Sequence, residues 1–171
     1  MRYISRLPAA PWRRAFPRSL AIVGSTGSIG RSALEVIRQQ PERFRVLALA
    51  GANNLALLAA QAAEFRPACL GLLDAEDIPE LRRLLPAGYA PDIMAGQEGY
   101  EALASLPEVS TVLSAQSGAA GLRATFAAVA AGKVIALANK ESLVLAGRLI
   151  RERCAQSGAA ILPVDSEHNA I

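Results

Sequence analysis

Seven short, continuous apolar runs alternate with helical patterns from Ser19 onward, and this alternation constrains the fold more than any other feature of the chain. The runs are SLAIV (19–23), FRVLALA (44–50), ACLGLL (68–73), DIMA (92–95), STVLSA (110–115), KVIALA (133–138) and AAILPV (159–164). Each has the length of a strand, and most lack the polar alternation of a sheet with one wet face. Strands buried on both faces belong to parallel sheets covered by helices. Between them the spacing predicts helices near 28–40, 54–65, 74–85, 99–106, 118–131 and 141–156. The first is expected to bury Ile29, Ala33, Val36 and Ile37 and to stop before Pro41. The expected fold class is α/β: a doubly wound, mostly parallel sheet with right-handed crossovers.

The loop after the first run carries the clearest chemistry. AIVGSTGSIGRSALEVI leads from a strand through Gly24, Gly27 and Gly30 into a helix. Glycines here permit a tight turn, a close backbone approach to a pyrophosphate and close helix–strand packing. The helix N-terminus then receives the anion, with Thr26 and Ser28 as hydroxyl donors. No G-K-[ST] follows, which argues against a triphosphate-binding loop. The strand–loop–helix context makes this a Rossmann-like dinucleotide site. An NAD site places a carboxylate at the end of the second strand for the ribose 2′-hydroxyl. Here that stretch reads ALAGANN, and no acid occurs between Arg45 and Glu64. This favours NADP, although the stretch offers no cation for the 2′-phosphate. Arg31 is a candidate for that contact and equally a solvated helix residue.

Two further clusters follow strands and so belong at the ligand-binding edge of such a sheet. Asn139, Lys140 and Glu141 open the helix after KVIALA. Lys140 is one of two lysines beside sixteen arginines, a compact charge suited to an anion or a polarised oxygen. Asp165, Ser166, Glu167 and His168 follow AAILPV. Two hard carboxylates suit Mg²⁺ or Mn²⁺, with a further ligand from elsewhere. His168 is open between a ligand and a neighbouring polar role.

Charge and cysteine content exclude several classes. The formal charge is +3, but residues 1–18 hold five arginines and no acid. The rest carries 13 basic against 15 acidic residues, so no basic stripe argues for nucleic acid. No apolar run reaches membrane-helix length. The arginine- and proline-rich residues 1–18 read as a disordered or targeting-like leader. Cys69 and Cys154 lie apart in apolar surroundings, as buried free thiols of a reducing compartment do.

GSTGSIG (24–30), GAAGL (118–122), LANKESLV (137–144) and LPVDSEHNAI (162–171), in this order, resemble the 1-deoxy-D-xylulose 5-phosphate reductoisomerase family. The resemblance runs from about Leu20 to Ile171. It implies an NADPH- and divalent-metal-dependent enzyme that makes 2-C-methyl-D-erythritol 4-phosphate in non-mevalonate isoprenoid synthesis. By resemblance, Gly24, Thr26, Gly27, Ser28, Ile29, Gly51, Asn53, Asn139 and Glu141 bind the cofactor. Lys140, Ser166 and Glu167 bind and act on a small phosphorylated sugar, and Asp165 and Glu167 hold the metal. Some members carry Lys or Arg between the matching glycine and asparagine, where this chain has Ala52. Family members are more than twice this length, so the chain is expected to be an N-terminal portion without the catalytic and C-terminal domains. That implies a leader (1–18), a cofactor domain (19–164) and the start of a catalytic domain (165–171), inactive alone. The resemblance also implies a full-length homodimer in the cytoplasm, or in a plastid if the leader is a transit peptide. A stand-alone NADP-binding module is the alternative; the NKE and DSEH motifs argue against a homoserine-dehydrogenase-like reductase.

Overall fold

The computed structural model describes residues 4, 5 and 16–164. All seven expected strands form: β1 (Arg18–Val23), β2 (Phe44–Ala50), β3 (Cys69–Leu72), β4 (Asp92–Ala95), β5 (Thr111–Ser114), β6 (Val134–Leu137) and β7 (Ala160–Pro163). The helices are α1 (Ser28–Gln39), α2 (Leu55–Phe65), α3 (Ile78–Leu84), α4 (Gly96–Ser105), α5 (Gly121–Ala130) and α6 (Lys140–Ser157). Short 3-10 turns, Ala75–Asp77 and Gly118–Ala120, lead into α3 and α5.

The strands form one parallel sheet in the order β4-β3-β2-β1-β5-β6-β7. The chain steps one way from β1 to β4, then returns to β5 and steps the other way. Right-handed crossovers running in opposite directions must lie on opposite faces. Accordingly Leu34, Ile37, Leu58 and Leu81 from α1–α3 pack on one face with Leu20 and Ile22 of β1. Tyr100, Leu103, Ala128 and Ile150 from α4–α6 pack on the other with Ala21 and Val23. Alternate residues of a strand thus enter separate cores, which is why the strand sequences show no polar alternation.

This topology corrects the expected face of α1. Its buried residues are Gly30, Leu34 and Ile37, whereas Ile29 and Val36 are 38% and 49% exposed. All crossovers after β4 use the opposite face, so among the described residues β5–β7 carry no helix on the α1 side. Ile29, Ala33 and Val36 instead border an open apolar trough of about 370 Å³, lined also by Leu113, Ala136 and Val164. Helix α4 starts three residues earlier than expected because Gly96, at φ +75°, turns β4 directly into it.

At the amino edge of the sheet, Lys133 is 8% exposed. Its Nζ donates to the carbonyls of Leu106 (2.6 Å), Val109 (2.7 Å) and Pro107 (3.4 Å). One ammonium therefore closes the turn between α4 and β5, and burial lowers its pKa. Lys133→Met keeps the stem but strands these carbonyls, at a cost of about 2 kcal/mol. The expected result is a Tm lower by roughly 4–8 °C in a thermal melt.

Cys69 and Cys154 are buried and free, and burial pushes both thiols above their ordinary pKa. The Ile4 carbonyl accepts a hydrogen bond from the Ile161 N–H on β7 (2.8 Å). Among the described residues no helix is long and apolar enough to cross a membrane.

Candidate cofactor site at the switch point of the sheet

Strand order reverses between β1 and β5, and at such a point the loops leaving the two strands diverge to form a crevice. Five segments meet along this carboxyl edge: the loops after β1 (24–27), β2 (51–54) and β5 (115–120), the β6–α6 turn (138–139), and Val164 after β7. They touch in sequence. A Cβ on Gly51 would lie 2.8 Å from the Thr26 methyl, and one on Gly24 would lie 2.6 Å from the Ala115 carbonyl oxygen. The Asn139 amide reaches the Gln116 carbonyl.

The three loop glycines do different work. Gly24 sits at φ +99°, which L side chains rarely adopt, against the β5 loop. A Cβ on Gly30 would lie 2.3 Å from the Gly24 carbonyl oxygen and 2.6 Å from the Ser25 Cα, so residue 30 must be glycine for α1 to seat on the loop. Gly27 is exposed at an ordinary φ of −74°, and a Cβ there would meet only the Gly24 oxygen at 3.4 Å.

Side-chain caps divide the helix N-termini around this crevice: α2 and α6 have one, α1 and α5 do not. Asn54 caps α2 through the Leu57 N–H (2.9 Å), and Asn139 caps α6 through the Ser142 N–H (3.0 Å). Helix α1 has no side-chain cap and no acid in its first turn. Its leading N–H groups, beside exposed Gly27 and Ser28, face the crevice with the positive end of the helix dipole. That is the donor set a pyrophosphate needs, so the residues fit a dinucleotide.

Asn139 is 1% exposed, and its side chain is engaged by the protein. The amide nitrogen donates to the carbonyls of Gln116 (2.6 Å) and Gly118 (2.7 Å), while the oxygen caps α6. It therefore ties the β5 loop to the start of α6. Lys140, Glu141 and Asn53 are exposed at the same edge, and Arg31 is exposed in the first turn of α1. Asp165, Ser166, Glu167 and His168 lie outside the described residues. Val164, whose N–H donates to the Leu137 carbonyl (3.0 Å), delivers the chain to this edge just before them. Among the described residues no cluster of His, Cys, Asp or Glu could hold a metal.

The sequence reading missed Gln61 and Tyr100, which grip the loops after β1 and β2 from beneath. Gln61 left a trace as the polar residue among the buried positions Leu58, Ala59 and Ala62 of α2. Tyr100 left none, because its spacing is that of any core aromatic. Burial first, and the Asp74 charge second, push the Tyr100 phenol up to about 12. Burial does the same for Tyr89. A free phenol ionises near pH ~10, so between that and the folded value the native chain holds protons the unfolded chain releases. This contribution to stability is intact below about pH 10 and declines as pH rises toward about 12. In an alkaline absorbance titration these two phenols should ionise above the ordinary pH ~10, toward about 12. Ionisation of the Tyr100 phenol near pH ~10 in a folded chain would contradict its burial.

Fold and site together define a Rossmann-like, doubly wound α/β protein. The model of the 1-deoxy-D-xylulose 5-phosphate reductoisomerase family matches residues 20–147, and the chain belongs to that family. It is 66% identical over its whole length to 1-deoxy-D-xylulose 5-phosphate reductoisomerase of Nitratidesulfovibrio vulgaris (strain DP4), and 58% identical over 99% of it to that of Lawsonia intracellularis. It spans 42% of the length of each. A reductoisomerase crystal structure with NADPH, fosmidomycin and magnesium superposes with a TM-score of 0.85 at 48% identity, covering 89% of this chain and 37% of the other. The Zymomonas mobilis enzyme with NADPH gives 0.84 at 38% identity, covering 90% and 40%.

Proposed function

We propose that this chain forms the NADPH-binding part of a 1-deoxy-D-xylulose 5-phosphate reductoisomerase, within residues 19–164, with catalytic residues beginning at 165. The observation that carries the reading is the uncapped, glycine-lined N-terminus of α1 at the switch point of the sheet. The loop 24–30 takes the pyrophosphate on backbone N–H groups, with Thr26 and Ser28 as added donors. Gly51 and Asn53 border the adenosine ribose, where no carboxylate repels a 2′-phosphate. Ala52 brings no cation, and Arg31 on the adjoining helix is the candidate to supply one. Asn139 contributes by holding the β5 loop and the start of α6 in register, so that Lys140 and Glu141 present to substrate and nicotinamide.

NADPH, when bound, supplies the hydride. Lys140 and Ser166 would hold oxygens of a small phosphorylated sugar, and Asp165 and Glu167 would furnish carboxylates to Mg²⁺ or Mn²⁺. The full-length protein is read as a cytoplasmic homodimer. In a protein carrying the remaining length of its relatives, 1-deoxy-D-xylulose 5-phosphate should drive NADPH oxidation that stops on chelation and returns with Mg²⁺ or Mn²⁺. Substrate-independent oxidation, or turnover indifferent to chelator, would contradict the assignment.

A further inference from the structure

We propose that Gln61 and Tyr100 are positioning residues for the dinucleotide: each holds one cofactor loop by a buried hydrogen bond, and together they set the spacing between those loops. The inference rests on the reading of the carboxyl edge as an NADPH site. Gln61, on α2, is 6% exposed, and its Nε2 donates to the Ser25 carbonyl in the glycine loop (2.9 Å). Tyr100, on α4, is 1% exposed, and its hydroxyl donates to the Gly51 carbonyl in the second loop (3.0 Å). Neither acceptor lies in a strand or helix, so neither bond serves regular secondary structure.

The arrangement is an interlock. Helix α2 grows out of the second loop yet grips the first. Helix α4, from the opposite face of the sheet, grips the second. Tyr100 reaches Gly51 because its ring passes over Gly71, where a Cβ would lie 3.2 Å from the ring edge. Gly51 in turn gives room to the Thr26 side chain. A shift of either loop would therefore move Thr26 and the α1 N-terminus relative to the adenosine side.

Gln61 also has a feature that fold stability does not explain. Its Oε1 and the Ser25 hydroxyl are buried without partners. An apolar residue at 61 would avoid burying an unpaired oxygen, which is a cost for a core. Gln61 thus holds the loop at the expense of packing, as expected of a residue that serves the site. Both side chains are too deeply buried to touch ligand, so their influence passes through the loop carbonyls.

The test measures NADPH affinity and Tm together on the 171-residue chain and its variants Gln61→Met, Tyr100→Phe and Lys133→Met. Losing one such bond should weaken NADPH about five- to tenfold in Gln61→Met and in Tyr100→Phe. Gln61→Met should keep its Tm within about 3 °C of the wild type. Lys133→Met, at the far edge of the sheet, should lose Tm and keep its affinity within about twofold. That crossed pattern is one a merely structural role cannot produce. Affinities for Gln61→Met and Tyr100→Phe within twofold of the wild type overturn the inference, residue by residue. A wild-type chain that binds no NADPH overturns the functional reading and this inference with it.

Discussion

Gly30→Ala is expected to abolish dinucleotide binding, raising the NADPH Kd at least about 100-fold, equivalent to roughly 2.7 kcal/mol. The added methyl would sit 2.3 Å from the Gly24 carbonyl oxygen, 2.6 Å from the Ser25 Cα and 2.7 Å from the Ser25 oxygen. All three are backbone atoms, so no rotamer change relieves the contact. Either α1 slides along its axis or the loop opens, and both displace the N–H groups that face the anion. Overpacking of this kind also costs about 1–3 kcal/mol of stability. Gly27→Ala is the control. Its methyl would meet only the Gly24 oxygen, at 3.4 Å, from an unstrained backbone. Its Tm should therefore stay near the wild type, while that of Gly30→Ala falls. Equal melting of the two variants would contradict the division of labour among the glycines.

Asn139→Ala is expected to cost about 3 kcal/mol, combining a lost helix cap with two carbonyls left without donors. The informative comparison is Asn139→Asp. Aspartate caps helices as well as asparagine does, so a purely capping role predicts full rescue. Here the amide nitrogen donates to the Gln116 and Gly118 carbonyls, and a carboxylate oxygen would face both with no proton to share. Asn139→Asp should thus melt no higher than Asn139→Ala at neutral pH. Recovery of wild-type Tm by Asn139→Asp would show that the latch to the β5 loop is unimportant.

These residues also mark what was legible in the sequence. The strands were readable because burial on both faces leaves continuous apolar runs such as LAIV in β1 and VLALA in β2. The glycine loop was readable because strand, turn and helix punctuate one another locally. The face of α1 was not. Ile29, Ala33, Val36 and Ile37 form a regular apolar stripe, but which stripe is covered depends on where the return crossover from β4 runs. That is a property of the strand order, which local periodicity does not encode. Asn139 was recognised as a site residue by its place after a strand. Its partners at 116 and 118 come from another loop, and only the fold brings them to it. Gln61 and Tyr100 act over separations of 36 and 49 residues, beyond any motif. Asp165 and Glu167 remain proposals drawn from resemblance and from their position after β7.

The central claim is that the open end of α1 receives NADPH, and a calorimetric titration of NADPH into this chain tests it most directly, with Gly30→Ala run in parallel. The account predicts saturable, one-to-one binding by the wild type and none by the variant over the same range. A wild type that shows no saturation up to about 1 mM NADPH, a standard free energy weaker than about −4 kcal/mol, would contradict it. Undiminished binding by a folded Gly30→Ala would place the cofactor elsewhere on the molecule.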